Sequence, residues 1–149
     1  ACLGLARLHT GDDALLDPML KRIQNDLFDL GADLANPPAP DEDPARVLRV
    51  TDGQVTRLER EIDQINADLS PLTSFVLPGG TPAAAALHQA RTVCRRAERA
   101  AVHLAQTEPV ATPALKYLNR LSDLLFVAAR RANGQGALDV LWSPGATRG

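Results

Sequence analysis

Phe75-Val-Leu-Pro-Gly-Gly-Thr81-Pro82, an alanine-rich run to Ala90, and then Arg91-Thr-Val-Cys94-Arg95-Arg96-Ala-Glu98-Arg99 form the stretch on which the fold turns. Thr81 stands where a hydroxyl caps a helix whose first residue is Pro82, and the alanines that follow favour its continuation. The pattern predicts a long helix that ends near Gln106, before Pro109. At about 100° per residue, Arg91, Arg95 and Arg99 share one face with Glu98 beside them, while Ala86, Ala90, Val93, Ala97, Ala101 and Leu104 line the opposite, core-facing side. Two readings of the cationic face stand at this point. Guanidinium forks oriented by Glu98 suit the oxygens of a polyphosphate. Three arginines and a glutamate on a helix equally make a solvated, ion-paired surface.

Further helices flank this one. Upstream, Leu20, Ile23, Leu27, Leu30 and Leu34 recur at helical spacing from about Ala14 to Ala35, with Lys21, Arg22, Asp26, Asp29 and Asp33 between them. Asn36-Pro-Pro-Ala-Pro-Asp-Glu-Asp-Pro44 is a breaker-rich loop, and Arg46-Val-Leu-Arg-Val50 reads as a short extended piece. Thr51 with Gln54 fits a capping box ahead of Val55, Leu58, Ile62, Ile65 and Leu69, a third helix running to about Leu69. Downstream, Thr112 and Pro113 cap a last main helix whose buried candidates are Leu115, Leu118, Leu121, Leu125 and Ala128. Ala1-Cys-Leu-Gly-Leu-Ala-Arg-Leu8 reads as a first helix already under way, truncated and without a capping residue, and Thr10-Gly11-Asp12-Asp13 as the turn after it. The expectation is an all-α fold: one domain over 1–149, a left-handed, up-and-down-like five-helix bundle. Residues 134–149 form a flexible C-terminal tail that carries Leu138, Val140, Leu141 and Trp142.

Composition agrees. The 149 residues are 45% apolar but only 3% aromatic, so the core must be aliphatic and suits packed helices. A formal charge of −2 gives no electrostatic case for nucleic acid or an anionic membrane. No unbroken apolar span of about 18 residues and no basic-then-apolar leader is present, so neither a membrane helix nor a signal peptide is expected. Cys2 and Cys94 are too few for a disulfide framework and lack metal-site spacing, which points to a reducing cytoplasm. Gly79-Gly80 is followed by Thr81 with no lysine, so the G-x-x-x-x-G-K-[ST] phosphate loop is absent. None of His9, His88 and His103 sits three residues after a glutamate, which excludes a ferritin-like di-iron pattern, and no protein-held metal is expected. Cys94 lies among arginines that can lower a thiol's pKa, but a buried, structural cysteine is the preferred reading.

The block 75–81, the block 91–99 and Tyr117-Leu-Asn119-Arg120-Leu-Ser-Asp123-Leu-Leu-Phe126 together resemble the signature of the PduO-type ATP:cob(I)alamin adenosyltransferases. Ile23-Gln-Asn-Asp-Leu-Phe-Asp-Leu-Gly-Ala-Asp33 is similar to an earlier block of that family, so the likeness covers most of the chain. The resemblance implies a homotrimer with ATP and cobalamin sites at subunit interfaces, in which Co(I) attacks the 5′ carbon of ATP and triphosphate departs. Mg²⁺ would accompany ATP on phosphate oxygens and water. It implies ATP contacts at Arg95, Glu98, Arg99 and Asn119, with Arg96 adjacent, and a catalytic role for Arg95. Arg91 matches a position that pairs with an acidic residue of a neighbouring subunit, while Arg120 and Asp123 would brace the site. Phe75 matches the aromatic residue that displaces the lower axial ligand of cobalamin, a catalytic and cobalamin-binding role. A reductase or a cobalamin-dependent mutase is the implied protein partner. The resemblance also implies a glycine-rich Thr-Gly-Asp loop ahead of Ala1, for which the 10–13 turn is no substitute. The rival reading is a non-catalytic cobalamin- or nucleotide-binding bundle, a carrier or sensor lacking that loop. A purely structural bundle would leave the arginine face without a task.

Overall fold

The computed structural model describes residues 1–11, 13–43 and 45–148; Asp12 of the predicted turn, Pro44 of the proline-rich loop and Gly149 of the tail lie outside them. Five helices follow in order: α1 (Cys2–His9), α2 (Leu16–Leu34), α3 (Asp52–Asn66), α4 (Pro82–Leu104) and α5 (Thr112–Ala132). Helix α5 is the centre of the bundle, packed by α4, α3 and α2, while α1 lies against α4 and α2. Its sequence explains that position. Ala114, Tyr117, Leu118, Leu121, Leu124, Leu125, Ala128 and Ala129 are all buried, an apolar surface too wide for one neighbour. No helix among the described residues is long and apolar enough to cross a membrane.

Local signals set most boundaries. The Thr51 hydroxyl accepts from the Gln54 backbone N–H while the Gln54 side chain accepts from the Thr51 backbone, so the capping box starts α3. The Thr81 hydroxyl accepts from Ala84 N at 3.2 Å, with Pro82 opening α4. At α5 the sequence reading needs correction. Thr112 lies inside the helix, Ala111 occupies the cap position without a side-chain bond, and only Pro113 plays its expected part. Helix α3 ends at Asn66, short of Leu69, which still packs against the core.

The buried face of α4 is also rotated from the expected one. Leu87, Ala90, Cys94 and Ala101 are buried with Ala83 and Ala84, whereas Val93, Ala97 and Leu104 are exposed. The small side chains let α5 approach closely, so only a narrow stripe of α4 is covered. Helix α1, about 12 Å long at 1.5 Å per residue, cannot shield the flank of a helix about 35 Å long. Ala90, Val93, Cys94 and Ala97 therefore line one wall of an apolar groove of about 720 Å³, facing Leu27 and Phe28 of α2.

The segment 46–50 forms no strand. It fastens the end of α2 through buried Asp33, whose carboxylate accepts from Arg49 Nη1 and from Val50 N, each at 2.8 Å. Asp26, about two turns earlier on the same helix, accepts from Tyr117 Oη at 2.8 Å and Gln54 Nε2 at 3.1 Å and pairs with Arg57. These carboxylates sit on the same 3.6-residue face as Ile23 and Leu30; Asp26 ties α2 to α3 and α5, and Asp33 ties it to the segment that leads into α3.

The Pro-Gly-Gly turn is pinned by Asn133, fully buried just past the end of α5. Its Oδ1 accepts from Thr81 N at 2.9 Å, and its Nδ2 donates to Gly79 O at 3.2 Å and to Asp139 Oδ1 at 3.2 Å. Gly80 has φ +97°, and a Cβ there would stand 2.2 Å from Asn133 Oδ1. Gly80→Ala is therefore expected to lower the unfolding free energy by about 2 kcal/mol or more, read as a drop in the urea midpoint. Gly79→Ala, whose Cβ would meet nothing closer than Val140 Cγ2 at 3.6 Å, should shift that midpoint far less.

Candidate functional site

The cationic cluster is built across α4 and α5. Arg95 and Glu98 lie three residues apart on α4, and Arg95 Nη1 donates to Glu98 Oε2 at 2.5 Å. The other carboxylate oxygen, Glu98 Oε1, accepts from Asn119 Nδ2 of α5 at 2.9 Å. Glu98 is largely buried, with 12% side-chain exposure, whereas Arg95 retains 43%. One guanidinium edge is thus held in place while the rest faces solvent. Such a group can meet an anion without first being ordered, which lowers the entropic cost of binding.

Arg96 and Arg99 are exposed and form no ion pair among the described residues. Arg91, half-buried one turn before Arg95, lies over the Phe126 ring at 5.3 Å. Its Nε is buried and finds no hydrogen-bond acceptor among the described residues. On α5, Arg120 donates to Asp123 at 2.9 Å and to Glu59 of α3 at 3.2 Å. Beside Glu98 and Asn119 opens a cleft of about 480 Å³ between α3, α4 and α5, floored by Val55, Val102 and Leu115 and rimmed by Lys116 and Arg120. Of the nine residues singled out from the sequence, Arg95, Glu98 and Asn119 are joined by hydrogen bonds across one helix pair, and Arg91 and Arg99 lie one turn either side of Arg95 on the same face of α4, whereas Arg96 is exposed about 100° round the helix from Arg95. Arg120 and Asp123 flank them.

Phe75 is elsewhere. It precedes the start of α4, and the rise from Thr81 to Arg95 alone is about 21 Å. Its ring is 78% exposed and meets Trp142 edge to face at a centroid distance of 5.8 Å. The tail carrying Trp142 folds back on this loop: Leu77 N donates to Val140 O at 2.7 Å and Trp142 N to Phe75 O at 2.8 Å. Within a single chain, the aromatic and cationic parts are thus two separate regions at different heights along α4.

Sequence reasoning overlooked the polar groups that hold these parts. Asn133, Asp139 and Arg130 lie in or beside a segment marked only by its small residues. Asp26 and Asp33 carried a usable signal, because Ile23, Asp26, Leu30 and Asp33 recur at helical spacing, which places both acids on the core face. His88 is buried, with its ring edge to face on Phe126 and its Nε2 without a partner among the described residues. Burial, and secondly the Arg91 charge, push its pKa below the usual imidazole value, against the pull of Asp139.

Residues 1–132 match the family described as cobalamin adenosyltransferase. The chain is 49% identical over 151 aligned residues to a corrinoid adenosyltransferase of Mycobacterium bovis, covering 99% of this chain and 76% of that protein. Among solved structures, it is similar to a phenylalanine-to-histidine variant of a PduO-type ATP:corrinoid adenosyltransferase from Lactobacillus reuteri complexed with cobalamin and ATP. There the TM-score is 0.83 and the identity 37%, over 96% of this chain and 77% of the other. An arginine-to-lysine variant of the same enzyme type complexed with ATP gives a TM-score of 0.80 and 36% identity, over 95% and 79% of the two chains.

Cys94, against the back of the cationic face, is buried and its Sγ donates to Leu118 O at 3.3 Å. Burial first, and then the Glu98 charge, push its thiol from 9.0 up to about 12, against the lowering effect of Arg95. The folded chain therefore keeps this proton to higher pH than the unfolded chain. The resulting stability is complete below about pH 9 and is lost as pH rises toward 12. Cys94→Ala is expected to flatten the decline of the urea midpoint over that alkaline range; an unaltered decline would show that the thiol does not contribute.

Proposed function

Because the chain belongs to the cobalamin adenosyltransferase family, we propose that it transfers the 5′-deoxyadenosyl group of ATP to the cobalt of cob(I)alamin, forming adenosylcobalamin and releasing triphosphate. The electron pair on Co(I) forms the cobalt–carbon bond as the bond from the 5′ carbon to oxygen breaks, and triphosphate leaves with the electrons of that carbon–oxygen bond. Two reactants must be held in line, and the negative charge gathering on the leaving group must be met. The protein need supply no nucleophile.

The observation that carries the assignment of roles is the Glu98 bridge, which pins Arg95 and Asn119 while leaving much of Arg95 open. In this reading Arg95 is a catalytic residue that grips the triphosphate, with Arg99 and Arg96 supplying further cationic donors. Glu98 and Asn119 contact the nucleotide and orient Arg95, and Arg120 with Asp123 supports α5. Phe75 enters as the catalytic aromatic on the lower face of the corrinoid, supported by its exposed ring. Arg91 bridges to an acidic group of the next subunit in a homotrimer, a role favoured by its buried Nε, which finds no acceptor among the described residues. A trimer would also bring the aromatic region of one chain toward the cationic face of another, an arrangement that suits their separation within one chain.

Mg²⁺ would arrive with ATP and remain on phosphate oxygens and water. Among the described residues no group of three His, Cys, Asp or Glu side chains is arranged to hold a metal ion. A cytoplasmic location, a reductase that supplies reduced corrinoid and a cobalamin-dependent mutase that receives the product complete the reading.

The test mixes the full-length protein with ATP, Mg²⁺ and chemically reduced cobalamin under anaerobic conditions and follows the absorbance change of cobalt–carbon bond formation. Arg95→Ala is expected to reduce turnover about a hundredfold or more with circular dichroism and oligomeric state unchanged. Glu98→Gln, which keeps the shape but removes the charge, should raise the KM for ATP more than it lowers kcat. Binding of ATP or cobalamin without turnover in the unmodified protein would sink the transferase reading and leave a carrier or sensor.

A further inference from the structure

An aromatic ring that is 78% exposed has little packing of its own, so the position of Phe75 must come from its backbone. That backbone is held by the tail. Ser74 Oγ donates to Trp142 O at 2.8 Å, Trp142 N to Phe75 O at 2.8 Å and Leu77 N to Val140 O at 2.7 Å, and the Trp142 ring closes on Phe75. The tail is in turn held at Asp139, whose carboxylate has only 2% exposure. Its Oδ2 accepts from Arg130 Nε at 2.7 Å and its Oδ1 from Asn133 Nδ2 at 3.2 Å. Arg130 also donates through Nη2 to Ser70 O at 2.7 Å, and the Ser70 hydroxyl donates to Gln135 O at 3.1 Å. The fit leaves no slack at Gly136, where φ is +93° and a Cβ would stand 2.7 Å from Arg130 Nη2. Both ends of the 70–81 loop are therefore fastened to the end of α5 and to the tail.

We propose that Asp139 is a positioning residue for Phe75: its buried pairing with Arg130 and Asn133 clasps the 138–142 segment against the 74–77 segment and so sets the place of the exposed ring. The proposal rests on the reading of Phe75 as the residue facing the corrinoid. The physical basis is the asymmetry of buried ion pairs. Removing the Asp139 carboxylate leaves Arg130, itself 7% exposed, charged and unpaired, and the cheapest relief is for the tail to swing away. A misplaced group at a reacting centre then slows the reaction without weakening the distant arginine face.

Trp142 is the single tryptophan of the chain, so its fluorescence reports the clasp directly. Asp139→Ala should red-shift Trp142 emission, increase its quenching by acrylamide and lower adenosyl transfer about tenfold while ATP affinity stays unchanged. In a Phe75→Ala background the same substitution should cause no further loss, because no ring remains to be placed. Equal losses in both backgrounds, or an unchanged Trp142 spectrum, would overturn the proposal. If Asp139→Ala does not fold, Ser74→Ala provides the test: it removes only the exposed bond to Trp142 O, and the same Phe75-dependent loss, smaller in size, is expected. Phe75→Ala with full turnover would overturn the reading of Phe75 itself, and the positioning role with it. A large Phe75 effect with additive Asp139 loss would overturn the clasp alone.

Discussion

The buried amide of Asn133 is the contact on which the upper end of the molecule depends. It satisfies three neighbours at once: the N–H that begins α4, the carbonyl of Gly79 and the carboxylate of Asp139. A primary amide offers acceptor and donors on one small plane, which a carboxylate or an alkyl side chain cannot imitate. Gly80 must lack a Cβ for that plane to approach, so the glycine and the asparagine are one constraint written at two places 53 residues apart. The start of α4, the end of α5, the Phe75 loop and the tail all take their relative positions from it.

Lower in the bundle, buried carboxylates do comparable work. Asp26, Asp33 and Glu98 each join groups from different elements, and each has a cationic partner that offsets the cost of removing its charge from water. Glu98 differs from the other two in what it leaves uncovered. Arg49 is largely enclosed around Asp33, with 17% side-chain exposure, whereas Arg95 remains 43% exposed beside Glu98. The same chemistry is structural in one place and ready for a ligand in the other, and the difference is solvent access.

Much of the fold was legible because its signals are local. A capping hydroxyl, a proline at a helix start and apolar residues three and four apart act within one or two turns, so α2, α3 and α4 can be placed from the chain alone. The errors are equally physical. Thr112 has the chemistry of a cap, but Pro113 and Ala114 behind it let the helix begin one residue earlier on Ala111. Val93, Ala97 and Leu104 have core chemistry and the right spacing, yet they lie beyond the stripe that α5 covers. Spacing identifies an apolar face without saying how wide a partner will cover it.

The sequence by itself determined the helical content, the clustering of Arg91, Arg95, Glu98 and Arg99 on α4, and the family resemblance through its ordered blocks. Each of these depends on residues within about two turns of one another or on motif order. Only the tertiary structure decided that Glu98 spans to Asn119, that Asp139 and Asn133 fasten the Pro-Gly-Gly turn, and that Phe75 stands exposed beside Trp142, apart from the arginines. Those facts join residues 21 to 67 positions apart, and such pairings follow from how α2, α3 and α4 pack around α5 rather than from the periodicity of any one helix.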